Sequence, residues 1–538
     1  MPDGGFSIRQ RLRYRLESTF AAGPGSLVAW LAAATVTIAL LAALVVAIWS
    51  LRFGSQQPTF VEAFWQSLLR VIDTGSMSGD NGWFLRIVSL VVTLAGILIF
   101  TSLIGLLSTA FDARLADLQR GRSPVAERNH VLILGWSPKV LTIIEELSVA
   151  NESEGGVTMV LFAPLDKPEL DRLVHDRVGD LRGSRVVCRS GQPWDRGDLG
   201  LVHPDKATSV LLVSEGADAD PTVVKAALAI LQYDLPAGVP VVAEIQDPET
   251  AVALREATEG RVIVVSSFGI ISRIAAQVAR QPALSAVYQD LVDFEGNEIY
   301  FVRQPELVGH PFGDAVLAFD GAVALGVRQG GRCTLRPGFE TELAPDAELI
   351  VLAEDDSTIH FRSASPMEAG RSDGRAAARC ERVLVLGWSD LGPLILRELD
   401  AFVEPGSQAL IWSDPDIITE PVGVRGLVNL ELDNLAADPV TRDRIQQIMA
   451  EREIDHVVIL CYRQLSIPEA DARALLMLLQ ARAAAEGLGR HVNVVTELLD
   501  VSDVELARSA DADEFILSER LTSLVMSQLA ENPHLEEV

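Results

Sequence analysis

The run His130-Val131-Leu132-Ile133-Leu134-Gly135-Trp136-Ser137 returns almost unchanged as Arg382-Val383-Leu384-Val385-Leu386-Gly387-Trp388-Ser389. A near-continuous apolar run closed by glycine reads as a strand buried on both faces, the mark of a parallel sheet. The agreement extends outward. Residues 139–150 predict a helix, and Glu146-Leu147 within it meets Glu398-Leu399 in the second run. Downstream, Ser209-Val210-Leu211-Leu212-Val213 parallels His456-Val457-Val458-Ile459-Leu460, and Val241-Val242-Ala243-Glu244 parallels Val494-Val495-Thr496-Glu497. Strands at 157–162, 186–188, 209–213, 239–244 and 262–265 alternate with helices at 221–232, 248–256 and 268–280, which predicts a doubly wound sheet. Two copies of one Rossmann-like α/β domain follow, at 130–290 and 380–538. The helices at 271–278 and 521–529 correspond, and both are expected at interfaces between the copies. Residues 291–356 are glycine-rich with short apolar runs and predict a small antiparallel β lobe; 357–379 read as a linker. The second copy is expected to lack the lobe, since the sequence ends at Val538.

Upstream of the repeats lie two long apolar runs, 27–51 and 87–111, each above the roughly 20 residues that span a bilayer. Between them an amphipathic segment, 60–70, runs into Asp73-Thr74-Gly75-Ser76-Met77-Ser78-Gly79-Asp80. Polar backbone sits at membrane depth only where protein buries it or water lines it. Carbonyls and small hydroxyls can replace part of an ion's hydration shell. The order helix, short helix, polar turn, helix therefore reads as a pore module over 27–111, with Asp73 to Asp80 as its selectivity filter. The plainer reading is a two-helix anchor with an external loop. Gly96 and Gly105, inside the second run, read either as gating hinges or as sites of close helix packing. Arg9, Arg11, Arg13 and Arg15 precede the first run, in a basic arm at 1–26; Arg114, Arg120, Arg122 and Arg128 follow the second. This bias places both termini in the cytoplasm. The charged connector at 112–129 could carry force to the inner helix.

The chain has 538 residues, 49% apolar, and a formal net charge of −29. That charge excludes a nucleic-acid partner. The 4 cysteines stand singly, without zinc spacing or a disulfide framework. Lone His175 and His456 read as satisfied or surface residues. No nucleophile–base constellation is present, so an enzyme is not expected. The acidic excess invites a divalent-cation reading. Glu215, Asp218 and Asp220 cluster after a strand end, where sheets of this class hold ligands. Asp511, Asp513 and Glu514 form a second cluster, and neither has EF-hand spacing.

The glycine turns at the repeat starts resemble a dinucleotide fingerprint, but a degraded one. Gly135-Trp136-Ser137 lacks the second and third glycines. Gly387-Trp388-Ser389 recovers only Gly392, and Asp414 stands where an acid could meet a ribose. A nucleotide is therefore the less favoured ligand, and calcium the more favoured one.

Three stretches carry a family resemblance: Asp73-Thr74-Gly75-Ser76-Met77-Ser78, the run 122–137 from Arg122 to Ser137, and Glu295-Gly296-Asn297-Glu298-Ile299-Tyr300. From about residue 60 onward the chain resembles the CASTOR/POLLUX ion channels, and more broadly potassium channels carrying RCK domains. The resemblance implies a homotetramer in a cell inner or plasma membrane, a cytoplasmic RCK ring, and control by calcium. It implies cation flux, with potassium or other monovalent ions favoured and calcium permeation left open. The filter stretch departs from the family's Asp-Ala-Gly-Asn-His and from Thr-Val-Gly-Tyr-Gly, although Gly79-Asp80 ends it as a potassium filter ends. The alternative is a membrane-anchored nucleotide sensor, or a regulatory subunit of a separate transporter.

Overall fold

The computed structural model describes residues 24–53, 59–72, 82–119 and 121–538, apart from 217–218, 282, 295, 363–378, 420–421, 436–439 and 510–513. It divides into two compact units, Met1–Arg120 and Gly121–Val538.

The first unit holds α1 (Pro24–Phe53), α2 (Phe60–Ile72) and α3 (Trp83–Gln119). Within α1 and α3, Leu27–Trp49 and Trp83–Thr109 are long and apolar enough to cross a bilayer. Leu40, Leu41 and Leu44 of α1, with Leu90, Val91 and Leu98 of α3, stay exposed. Such faces suit lipid or neighbouring copies. The inner helix continues without a break into the first half of the predicted connector, as far as Gln119.

The second unit opens with β1 (His130–Leu134), α4 (Lys139–Ala150), β2 (Thr158–Ala163), α5 (Lys167–Arg177), β3 (Arg185–Ser190), β4 (Ala207–Leu212), α6 (Ala219–Ile230), β5 (Val241–Ile245), α7 (Pro248–Ala257), β6 (Ile263–Ser266) and α8 (Ser267–Arg280). The six strands form one parallel sheet in the order β3-β2-β1-β4-β5-β6. Leu132 sits in register with Val160 on one side and Val210 on the other. The sequence pattern does not mark α5, because it turns only Leu170 and Val174 inward.

Next come α9 (Leu284–Val292) and the β lobe: β7 (Glu298–Val302), β8 (Phe319–Asp320), β9 (Ala322–Gln329), β10 (Arg332–Leu335), β11 (Glu348–Ala353) and β12 (His360–Phe361). Four of these strands pair antiparallel in the order β10-β9-β11-β7. The second repeat holds β13 (Arg382–Leu386), α10 (Leu391–Asp400), β14 (Ser407–Trp412), β15 (Leu430–Asn434), α11 (Arg442–Arg452), β16 (His456–Ile459), α12 (Ile467–Gly487), β17 (Asn493–Leu498), α13 (Val504–Ser509), β18 (Glu514–Leu517) and α14 (Ser518–Glu531). Its sheet, β15-β14-β13-β16-β17-β18, repeats the first strand for strand.

The two repeats exchange their last helices. α8 leaves the first sheet yet buries Ile271, Ala275, Ala276 and Val278 with Val383, Val385, Ile395 and Val458 of the second. α14 leaves the second sheet and buries Met526, Leu529 and Ala530 with Val131, Ile133, Ile143 and Val242 of the first. Each large apolar side chain so buried is worth about 1.5–3 kcal/mol. Polar groups fix the exchange. Asn493 Nδ2 donates to the Val278 and Ala279 carbonyls at 3.2 and 2.7 Å, satisfying the end of α8. Arg280 meets Glu381 at 2.9 Å, and His456 lies 3.3 Å from the same carboxylate. Burial opposes the Glu381 charge, but hydrogen bonds from His456 and Arg280 hold its pKa down at about 2.

Candidate functional site

In the membrane unit, α2 turns Ala63, Ser67, Arg70 and Val71 inward and leaves Phe60, Val61 and Trp65 exposed. Ala63 packs with Ala43 and Val46 of α1, and Val71 with Ala42 of α1 and Val92 of α3. Gly96 makes this possible. A Cβ there would lie 2.5 Å from the Val71 carbonyl oxygen, so α3 passes α2 at backbone distance. Gly105 has nothing within 4 Å of such a Cβ, and α3 is helical through both glycines. The filter stretch Asp73 to Asp80 lies outside the described residues; α2 ends at Ile72, immediately before it.

The glycine turns of the second unit are explained by the sheets. Gly135 has φ +100°, and a Cβ would fall 1.9 Å from the Val213 carbonyl oxygen. Gly387 has φ +80°, with the Leu460 carbonyl oxygen at 2.2 Å. Only glycine fits where the chain crosses the neighbouring strand so closely. Ser137 Oγ accepts from the Lys139 N–H, Trp136 packs on the first core, and Ser389 is buried. Trp388 is 8% exposed, and its ring lies where a Cβ on Gly392 would come within 2.6 Å. The indole thus covers the first turn of α10, where a pyrophosphate would have to lie. Asp414 is taken up by Arg473, at 3.0 Å. In the second repeat, Trp388 and Asp414 so placed do not fit a dinucleotide bound across the turn.

The predicted cation ligands are described only in part. The Asp220 carboxylate accepts the N–H groups of Gln246 and Asp247 at 2.8 and 2.9 Å, which ties α6 to the loop after β5. Asp218, Asp511 and Asp513 lie outside the described residues. Among the described residues no three His, Cys, Asp or Glu side chains group as a metal site. Burial and the nearby Glu519 push the Glu215 carboxyl above its ordinary range.

Glu215 instead lines a cavity of about 410 Å³ between the repeats, with Ser137, Lys139, Phe268, Arg463 and Glu519. Lys139 Nζ reaches Glu244 at 2.6 Å and Glu519, on the exchanged α14, at 3.1 Å. Burial opposes its charge, yet the two carboxylates outweigh it and raise the Lys139 pKa. Arg463 reaches Glu497 at 2.6 Å and lies over Phe268 of the exchanged α8, 5.0 Å from the ring centroid. Each repeat therefore neutralises its own strand-end glutamate with a cation that also touches the other repeat's exchanged helix. The pairing of Glu244 with Glu497 is visible in the repeat alignment. The cations are not, because Lys139 and Arg463 occupy unrelated positions in the two copies.

Residues 269–368 match a family model described as Castor and Pollux, part of voltage-gated ion channel. A probable ion channel CASTOR of Oryza sativa subsp. japonica is 28% identical, aligned over 99% of this chain and 64% of its own length. A probable ion channel POLLUX of Arabidopsis thaliana is also 28% identical, over 99% of this chain and 69% of its own. The chain thus spans about two thirds of the length of these curated relatives. The human SLO3 gating ring superposes with a TM-score of 0.51 at 12% identity, covering 76% of this chain and 82% of that one. The chain thus carries two helices long and apolar enough to cross a membrane and two tandem sheet domains of the fold seen in that gating ring. Over almost its whole length the chain is similar to the CASTOR and POLLUX proteins, which are named as ion channels and not as enzymes.

Proposed function

We propose that the chain is one subunit of a homotetrameric cation channel, with residues 73–80 as its filter and its sheet domains as part of a cytoplasmic gating ring. Potassium or other monovalent cations are the favoured permeants, with calcium permeation left open. The observation that carries this reading is the burial of α2. An interfacial anchor needs no inward face between two spans. Ala63, Ser67 and Val71 are held there by α1 and α3, and Gly96 admits the last turn at backbone distance. A helix so held aims its carboxyl end, the negative end of its dipole, at the stretch that begins with Asp73. Such an end stabilises a partly dehydrated cation. Arginines flanking both spans favour cytoplasmic termini, and the acidic excess favours calcium over a nucleotide as the ring's ligand. The anchored-sensor alternative needs a nucleotide site, and Trp388 over Gly392 weighs against one.

Flux through liposomes loaded with potassium tests the reading on the full chain. Wild type is expected to conduct, and Gly75→Val to abolish flux while size-exclusion chromatography shows unchanged assembly. Flux that survives in Gly75→Val removes residues 73–80 from the pathway.

A further inference from the structure

A groove of about 660 Å³ lies beside the exchanged helices, within the size range of small-molecule sites. Its walls come from β6, α7, α8, α9, β7 and α14, and from Leu535, Glu536 and Val538 of the closing segment. Ile263, Val265, Ile270, Val292 and Leu529 make most of it apolar, and two arginines, Arg255 and Arg273, also line it. Among the described residues, neither guanidinium has a carboxylate within hydrogen-bond distance. Arg255 donates to the Val264 carbonyl at 3.0 Å, which fixes it over β6, but its nearest carboxylate, Glu536, is 3.7 Å away. Arg273 is 74% exposed and stands 3.6 Å from Glu398. Both distances exceed a hydrogen bond.

The chain itself shows what the groove accepts. In the segment Pro533–Glu537, Leu535 packs against the first repeat's core while Glu536, the next residue, faces Arg255. An apolar group against the wall and a carboxylate at the arginine is the pattern of an amphipathic acid. We propose that this groove binds a long-chain aliphatic carboxylate, of the fatty-acid class, with its hydrocarbon along Ile263, Ile270 and Leu529 and its carboxylate at Arg255 in place of Glu536. A short, hydrogen-bonded Arg–carboxylate pair would replace a loose one, and apolar wall would leave water. Because α8 and α14 both line the groove, an occupant touches both exchanged helices. The site lies within residues 248–538 and stands whether or not residues 73–80 conduct.

The test is photolabelling of the full chain, held in nanodiscs of zwitterionic lipid, with a diazirine-bearing palmitate, followed by peptide mapping. Labelling is expected on peptides from β6, α8 and α9, and palmitate is expected to compete where hexadecanol does not. Arg255→Gln should cut this labelling at least about fivefold, the range of one charged hydrogen bond. Glu536→Gln, which removes the internal competitor, should raise it. Ile270→Trp should block it by filling the groove. Both charge variants alter exposed groups and should keep the wild-type melting temperature. Labelling confined to α1 and α3, equal competition by hexadecanol, or no response to Arg255→Gln and Glu536→Gln would each overturn the proposal.

Discussion

At Lys139 two carboxylates from different repeats converge on one buried ammonium, at 2.6 and 3.1 Å. Removing one partner of such a group is worse than removing the group entire, because it leaves charge uncompensated in a poor solvent. Lys139→Met is therefore expected to cost about 3–5 kcal/mol of stability. The double change Lys139→Met with Glu244→Gln should recover a large part of that loss. Thermal denaturation of the full chain measures both, and a double variant no better than the single one would show that packing, not charge, dominates there. At this scale the sequence was legible in part. The equivalence of Glu244 and Glu497 at matching strand ends could be read from the repeats. That Trp388 lies over Gly392, and that Asp220 is spent on the N–H groups of Gln246 and Asp247, depends on tertiary approach that residue order does not encode.

The helices themselves were plain in the sequence, and their partners were not. The periodicity of Ser267–Arg280 and Ser518–Glu531 gives each an apolar face. It does not say which of two near-identical sheets will cover that face, since both offer the same Val/Ile/Leu surface. The structure assigns each helix to the other repeat. Gly96 is a similar case. Its place within an apolar run left hinge and packing both open, and the approach of Val71 shows close packing there. The exchange makes a crossed prediction. Ile274 is packed against the second repeat's core and Val525 against the first's. Ile274→Asp should cost about 2–3 kcal/mol and speed hydrogen exchange in α10, a second-repeat helix. Val525→Asp should do the same for α4, in the first repeat. Damage that stays in the repeat carrying the substituted helix would contradict the exchange.

For the whole molecule, the repeat at His130 and Arg382, the two membrane-length helices and the inserted β lobe were all readable from hydrophobic pattern, because each is set by local periodicity. What the proposed ring senses is not set locally, and there the acidic excess and the covered Gly387–Gly392 turn argue together. A net charge of −29 on each copy of the proposed assembly stores repulsion that a divalent cation can relieve. Exposed Leu228 and Val252 in the first repeat, and Leu476, Leu479 and Leu506 in the second, offer apolar surface for neighbouring copies. Carboxylates from adjoining copies could then complete a calcium shell that the described residues of one chain do not hold, since calcium tolerates flexible oxygen ligation. Calcium is accordingly expected to raise the melting temperature of the assembled protein and to change its flux over one common concentration range. At one hundred times its dissociation constant a ligand of the folded state adds about 2.7 kcal/mol per site. NADH and ATP should do neither, because the Trp388 indole covers the turn they would need. Stabilisation by a nucleotide with no response to calcium would reverse this assignment, and would require Trp388 to swing off Gly392 to open the Gly387–Gly392 turn.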